Sequence, residues 1–568
     1  MTVKVSERRA DAIAATARDG ARAWSRVDIA GRRAMLEEFA ALVERHADEW
    51  VRVAARIKGL DPGSSTVGEE WISGPWATLY YAGHLIETLR RMEAGKSPTD
   101  GFAVTAAPGG RVAVEVLPHT VWDRLLLSGF SAEVWCEPGV TERDVRATAG
   151  LGMREPTRSG GTCVVLGAGN IFSIAPLDAL YVLYADNRSV ALKLNPVTDP
   201  LLPVLEAIFE PFIRLGAVQV FSSDLDLGSE LIAHPEVDAV HMTGSEATHD
   251  AIVWGTGEAG VANRAAGTPV LRKPITSELG GVAPVIVVPG RWSRRDLEFQ
   301  ARHVVTMRLH NSGSNCVAGQ VLVLSSDWAQ KDAFLAEVRR AFAAAPARPA
   351  WYPGTAARVE AARAGEHEAS GGTPERTLLP HLDPRSDDPA FSTEFFGPVL
   401  GVTEIPGTGT DFLAGAIEFA NDRLRGTLGA NLLVHPRDEK AIGAGTFRDM
   451  LADLHYGTIA VNAWTGVGYL SPYATWGAFP GHPLEDVQSG RGVVHNALLL
   501  AHPERTVVRG PFRPFPRSFA TGHASLTPVP PWFVDNRTAD TTGERLVRFS
   551  LAPRWRKLPG VFASALRG

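Results

Sequence analysis

Between residues 162 and 288 the chain alternates short, mostly apolar runs with stretches of helical periodicity, and no other feature restricts its fold so tightly. Runs at Thr162–Leu166, 189–194, 217–221 and 239–242 read as strands, and another opens at 285–288. The intervening segments 176–184, 201–215 and 227–234 carry helical spacing. Strands this short and this apolar are buried on both faces, so the pattern predicts a parallel sheet with helices on either side. Such a sheet binds ligands at the carboxyl ends of its strands. The alternation alone leaves open whether that end holds a nucleotide or nothing.

The flanks are organised differently. Residues 21–57 place Ala, Leu, Phe and Val at three- and four-residue intervals, as one amphipathic helix, and 71–92 form a second, more apolar one. Arg111–Leu117 alternates like a strand, and 152–161 (GMREPTRSGG) reads as a linker. A helix is expected over 327–344, then a low-complexity linker over 343–375, then a further α/β segment over 393–433. The last 68 residues, from 501, hold 11 Lys or Arg against 4 acids and are rich in Pro and aromatics. With 57 basic and 63 acidic residues overall, a net −6, the tail carries +7 and the body −13. Docking of the tail on an acidic surface of its own subunit or of a neighbour competes with a solvated appendage.

That overall balance excludes a dedicated nucleic-acid binder, which needs a marked basic excess. No run reaches the roughly 18 apolar residues of a membrane span, and the first 20 residues lack a signal-peptide core. Three cysteines in 568 residues cannot form a disulfide framework, which points to a reducing, cytoplasmic setting. At roughly 100–200 residues per domain, about three domains are expected.

Among the cysteines, Cys163 lies in an apolar strand and reads as an inert hydrophobe. Cys136 has acidic neighbours that disfavour a thiolate. Cys316, in HNSGSNCVAGQ, lies among small and polar residues that leave its sulfur accessible and let backbone amides approach. A thiol near pKa 8.5 needs such help to act as a nucleophile at neutral pH. Glu278, in SELGGVAPVIV, stands beside a Gly-Gly turn at the start of an apolar run, a setting for a carboxylate of raised pKa acting as general base. A solvated turn acid fits the same local sequence.

Taken in order over roughly residues 20–496, these segments resemble the aldehyde dehydrogenase superfamily. Asn170 in GAGNIF resembles the family's oxyanion-hole asparagine, and Lys193 in SVALKLNP follows 23 residues later, like its cofactor lysine. Gly244 and Ser245 in MTGSEATH resemble the turn that opens the helix near the cofactor's pyrophosphate. SELGG around Glu278 is similar to the general-base motif, and NSGSNC ending at Cys316 to the nucleophile motif. TEFFGPVLGV, with Glu394 and Phe396, resembles the Glu-x-Phe-Gly-Pro block; VNAW (461–464) and WGAFPGHPLEDVQSGRG (476–492) resemble the closing segments.

The resemblance implies an α/β fold. A Rossmann-type parallel-sheet cofactor domain (1–135 and 161–276) would join an α/β catalytic domain (277–475). A small oligomerisation and bridging element (136–160 and 476–500) would follow, with 501–568 as a basic extension. It implies NAD(P)-dependent oxidation of an aldehyde to an acid, with no metal, in a dimeric or tetrameric homo-oligomer. Cys316 would attack the carbonyl, and Asn170 with the Cys316 amide would stabilise the oxyanion, roughly 3–4 kcal/mol per well-placed donor. Glu278 would activate the water that hydrolyses the thioester. Lys193, Gly244, Ser245, Glu394 and Phe396 would hold the NAD or NADP cofactor.

Some positions depart from the pattern. Gly167-Ala168-Gly169 precede Asn170 where relatives have Pro-Trp, and His249 ends the 244–249 turn in place of a second glycine. Pro196 stands where NAD-selective relatives carry a Glu, so NADP is expected to be accepted. Trp464, Tyr469 and Phe479 are expected along the substrate tunnel, which leans toward an apolar or aromatic aldehyde. Two other readings compete: an acylating enzyme resolved by coenzyme A, which needs no water-activating Glu278, and a catalytically silent scaffold subunit acting through its tail.

Overall fold

The computed structural model describes residues 5–364, 376–522 and 524–568, so part of the expected 343–375 linker lies outside the described residues. Two sheets organise the chain. The smaller has six strands in the order Gly490–Arg491, Ile275–Leu279, Ala239–Gly244, Thr162–Leu166, Ser189–Lys193 and Val218–Phe221. All its pairings are parallel except that of Gly490–Arg491. The strand order reverses between Thr162–Leu166 and Ala239–Gly244, and at such a reversal two carboxyl ends part and leave a crevice.

The larger sheet has ten strands. Thr377–Leu382, Val399–Ile405, Gly319–Ser325, Ala283–Val287, Gly429–Leu433, Thr458–Val461 and Pro503–Arg509 run parallel. Ser131–Cys136, Arg111–Leu117 and Val104–Ala107 then continue it antiparallel. The sheets are joined at Gly280, Gly281 and Val282, between Ile275–Leu279 of one and Ala283–Val287 of the other.

This arrangement corrects two expected boundaries. Residues 104–136 pair in the ten-stranded sheet, not with the six-stranded one that the rest of 1–135 covers. Residues 503–509, expected in an appended tail, form an interior strand between Ser131–Cys136 and Thr458–Val461. Its pairing partners lie more than 40 residues away on one side and more than 360 on the other, so nothing local marked it as part of the sheet.

The expected helices divide where the backbone demands it. The 21–57 run becomes Val5–Trp24 and Ile29–Ile57, because Asp28 caps the second helix by accepting from Gly31 N at 2.8 Å. Arg32 is buried and donates to Asn187 Oδ1 at 2.7 Å and to the carbonyls of Trp24 and Pro156, fastening both helices to the six-stranded layer. The 71–92 helix is interrupted by a π-helical turn, Ile72–Trp76, around Pro75, whose missing N–H and bulky ring disfavour an ordinary helical turn. Likewise 201–215 breaks at Phe209, just before Pro211.

Beyond its strand the basic tail docks on its own subunit. Asp296, with no exposed side-chain surface, closes the capping box of helix Arg294–Leu309 and accepts from Arg513 and Arg517 at 2.7–2.8 Å. Helix Ala539–Ser550 packs on residues 65–76, and Arg548 reaches Asp48 at 2.6 Å. Among the described residues no helix is long and apolar enough to cross a membrane, and no cluster of three potential metal ligands occurs.

Asp296→Ala is expected to cost about 2–4 kcal/mol, from a lost cap and two cations left without their partner. The hydrogen bonds that hold its carboxyl well below the usual carboxylate range favour the charged form, so this stability is present above about pH 4 and lost as pH falls. Thermal melts of both proteins between pH 3 and 7 should therefore differ most at neutral pH and converge in acid.

Candidate active site

The two-sheet junction decides where the chemistry can sit. Glu278 lies one residue before the end of Ile275–Leu279, and its partner strand Ala239–Gly244 ends at the Gly244-Ser245 turn. Asn170 follows Thr162–Leu166 on the other side of the crevice. Helix Arg294–Leu309 delivers the loop of residues 310–316, which ends at Cys316, to the same place.

Cys316 Sγ stands 4.0 Å from Glu278 Oε1. Glu278 is 3% exposed, and the indole N–H of Trp476 donates to that same Oε1. Burial, reinforced by the nearby Asp178 carboxylate, pushes Glu278 up to about 8, against the Trp476 hydrogen bond. Its Oε2 is shut off from solvent with no hydrogen-bond partner among the described residues. Burial also raises the Cys316 thiol well above its ordinary value, with Glu278 and Glu394 adding to the shift and the Cys316 and Val317 backbone amides opposing it. Asn170 donates one Nδ2 hydrogen to Ser314 O at 3.1 Å; an amide has two such hydrogens, and the second is available to an incoming oxygen.

The loop owes its shape to three successive left-handed residues. Asn311 and Ser312 have φ near +54°, and Gly313 has +76°. For a residue with a Cβ this conformation costs roughly 1–2 kcal/mol, so surrounding contacts must hold it. At Gly313 a Cβ would come 2.5 Å from Gly397 O, which explains the glycine twice over. Arg308, buried, donates to the carbonyls of both Gly313 and Gly397, tying the loop to the block that carries Glu394 and Phe396.

Glu394 packs over Gly280, where an added Cβ would meet its carboxylate at 2.1 Å. Burial pushes it up to about 8 despite the Arg308 guanidinium, and its Oε1 is sealed without a partner among the described residues. Phe396 has a left-handed backbone (φ +44°) and packs edge-on against Tyr352 at 4.9 Å. At the ends of the six-stranded sheet, Lys193 Nζ has only a long contact, 3.5 Å, to Leu194 O. Ser245 caps helix Glu246–Trp254 by accepting from Thr248 N at 3.2 Å, and Gly244 precedes it.

Asn170, Lys193, Gly244, Ser245, Glu278, Cys316, Glu394 and Phe396 therefore lie at the junction or at the carboxyl ends beside it. Among the three aromatics expected near the substrate, Tyr469 meets Trp476 edge-on at 5.4 Å, and its hydroxyl lies 2.9 Å from Ser173 Oγ. Trp464 covers His310 at 4.7 Å and donates to Val317 O. Phe479 is a correction: it stacks on His455 at 5.0 Å beneath the Arg505 guanidinium. There its ring satisfies a buried cation.

Several contributors carried no signal in the sequence. Asp178 accepts from Thr243 Oγ1 at 2.8 Å and lies 3.4 Å from His241 Nε2, and its charge acts on Glu278. Arg308 and Glu69 lie in ordinary helical stretches. The segment 348–358, read as low-complexity linker, runs across the site. Ser312 donates to Pro349 O at 2.8 Å, Trp351 meets Phe172 at 6.2 Å, and Arg358 donates to Phe395 O at 2.8 Å.

The aldehyde dehydrogenase family profile matches residues 192–357, which hold Lys193, Ser245, Glu278 and Cys316. Over those residues the chain is similar to the aldehyde dehydrogenase family. Betaine aldehyde dehydrogenase of Vibrio vulnificus is 28% identical over 187 residues, 33% of this chain and 34% of that relative, so the chain matches about a third of its length. Among solved structures, gamma-glutamyl-gamma-aminobutyraldehyde dehydrogenase of Burkholderia cenocepacia has TM-score 0.58 at 21% identity, covering 88% of each chain. The P. syringae indole-3-acetaldehyde dehydrogenase in complex with NAD+ has TM-score 0.57 at 18% identity, covering 89% of each chain. At these identities the structural likeness speaks for the α/β fold.

Solvent access separates the three thiols, since Cys316 is half-buried and the other two are fully buried. Cys136 is pushed up to about 12 and Cys163 higher still, both sealed in strands, so native-state alkylation with iodoacetamide should modify Cys316 first. Its rate should climb with pH through 9, and Glu278→Gln should accelerate it by removing the neighbouring negative charge, as mass spectrometry would read.

Proposed function

We propose that the chain oxidises an aldehyde to its carboxylic acid with NAD or NADP, using Cys316 as nucleophile and Glu278 as general base. The observation that carries this is the 4.0 Å approach of Sγ to Oε1 in a buried junction flanked by the Asn170 amide. A dinucleotide fits the residues present: the sealed, unpartnered Oε1 of Glu394 awaits a hydroxyl donor. Lys193, Gly244 and Ser245 stand at the carboxyl ends of the two strands that flank Thr162–Leu166 in the six-stranded sheet.

Chemically, Cys316 gives up its proton to the Glu278 carboxylate, which passes it on to solvent, and the sulfur bonds to the carbonyl carbon while the carbonyl oxygen takes the negative charge. The free Asn170 N–H and the Cys316 backbone N–H stabilise that oxygen. The dinucleotide, when bound, supplies the acceptor for the hydride whose loss leaves a thioester on Cys316. Glu278 then takes a proton from water, the hydroxide adds to the thioester carbon, and the acid departs as the thiol reforms. A carboxyl poised near 8 suits this work, because it can take a proton and return it close to neutral pH. Placement of Glu278 at the sulfur favours hydrolysis over coenzyme A as the resolving step, and the intact Cys316–Glu278 pair disfavours a silent scaffold.

Burial lowers Lys193, and the carboxylates of Asp199 and Asp224 oppose that shift. With Pro196 where NAD-selective relatives carry a Glu, no carboxylate at that position repels a 2′-phosphate, so NADP is accepted alongside NAD. A homo-oligomer, dimeric or tetrameric, and a cytoplasmic location rest on the family likeness and on three free thiols.

Absorbance at 340 nm with an aldehyde panel tests this directly: reduced cofactor should form without coenzyme A, with NAD or with NADP. No signal with any combination, and no dinucleotide binding, would remove the proposal. Cys316→Ala should abolish oxidation while leaving dinucleotide binding near normal. Glu278→Gln should give a burst of about one reduced cofactor per site and then slow turnover. The hydrolytic rate of the parent should rise with pH along a limb near 8 that the Gln variant lacks.

A further inference from the structure

Behind the nucleophile loop lies a buried ionic cluster that the chemistry above does not use. Glu69, 4% exposed, comes from the short helix Gly68–Trp71 that abuts the π-helical turn at Ile72–Trp76. Its Oε2 accepts from the backbone N–H of Asn311 at 2.9 Å and from Arg348, and lies 3.8 Å from His310 Nε2. Next to it Lys58 and Glu70 form a 2.8 Å ion pair, each 2% exposed or less, with the Lys58 ammonium over the rings of Phe172 and Trp351. Burial lowers His310 to about 4, so it is neutral at working pH, and Arg348 is the cation in direct contact with Glu69.

Asn311 is where this cluster meets the reacting groups. Its side-chain amide donates to Asn170 O at 3.1 Å and to Ser314 O at 2.9 Å, the carbonyl that also receives Asn170 Nδ2. One residue thus ties the backbone of Asn170 to the loop two residues before Cys316. It does so from a left-handed backbone conformation. A carboxylate is the strongest acceptor available to a backbone N–H in a dry site, and Arg348 keeps that carboxylate charged and oriented. On the other flank Ser312 is held by Pro349 O, in the same segment as Arg348.

Resting on the aldehyde-oxidation reading of this site, we propose that Glu69, held by Arg348, is a positioning residue that fixes the distance between the Asn170 amide and Cys316 through the Asn311 backbone. It touches neither substrate nor cofactor. Its loss acts on the step that needs both groups at once, formation of the oxyanion on Cys316, and leaves the cofactor residues at the sheet ends in place.

Glu69→Ala and Glu69→Gln test this in the full chain. Misplacing an oxyanion donor by about an ångström costs on the order of 100-fold, so Glu69→Ala should lower kcat by about that factor, with KM for the aldehyde and dinucleotide affinity within about threefold of the parent. Glu69→Gln keeps an acceptor for Asn311 N–H and should recover most of that loss, leaving kcat about five- to tenfold below the parent. Iodoacetamide labelling reads the loop without turnover: Cys316 in Glu69→Ala should alkylate several-fold faster than in the parent, with Glu69→Gln between them. If the parent oxidises no aldehyde, that labelling order still supports the tether, and identical labelling rates overturn it. A folded Glu69→Ala with parental kcat and labelling overturns the proposal, as does a fall in dinucleotide affinity that matches the fall in kcat. Should Glu69→Ala fail to fold, Glu69→Gln decides: lowered kcat at unchanged KM supports the role, and parental kcat refutes it.

Discussion

Two sheets joined most directly through three linking residues, 280–282, impose the rest of this structure. A strand that ends in one layer must hand the chain to the other at once, and the glycines at 280 and 281 allow the turn to pass under Glu394 and beside Ser489. Whatever stands at that seam is enclosed by both layers and loses its water. Glu278 is held there by its strand, and Cys316 arrives on a loop that the opposite layer anchors. Loss of water, more than any charged neighbour, sets the protonation of both: each is pushed toward its neutral form at rest. Their charges then appear only as the reaction calls for them.

The parallel layer was legible because its signal is local. Five short apolar runs, each shut in on both faces, leave little choice of architecture, and Thr162–Leu166 and Ser189–Lys193 fall within a residue of their expected limits. The reactive residues were legible for a different reason: each stands in a short segment of unusual composition at the end of such a run. Cys316 sits among small residues because backbone must approach backbone there, as Gly313 against Gly397 O illustrates.

What escaped the sequence was long-range. Nothing near Asp178 or Glu69 marks either as a neighbour of a thiol, since both occupy regular helical spacing and acquire their partners only by packing. The stretch around Trp351 has the composition of a linker, yet its aromatic rings and carbonyls brace the nucleophile loop and Phe396. A Pro- and Ala-rich segment can do this because it needs no regular hydrogen-bond ladder of its own. Phe479 erred the other way: an aromatic in the right segment turned its ring to a buried arginine.

The interior position of Pro503–Arg509 has a consequence for how the molecule comes into being. Strands Ser131–Cys136 and Thr458–Val461 both expose an open edge until it arrives. During synthesis the antiparallel ribbon made early must wait through some 370 further residues before its neighbour leaves the ribosome. Nascent chains therefore carry an unpaired apolar edge for most of translation, and the ten-stranded sheet closes only when residues 503–509 emerge.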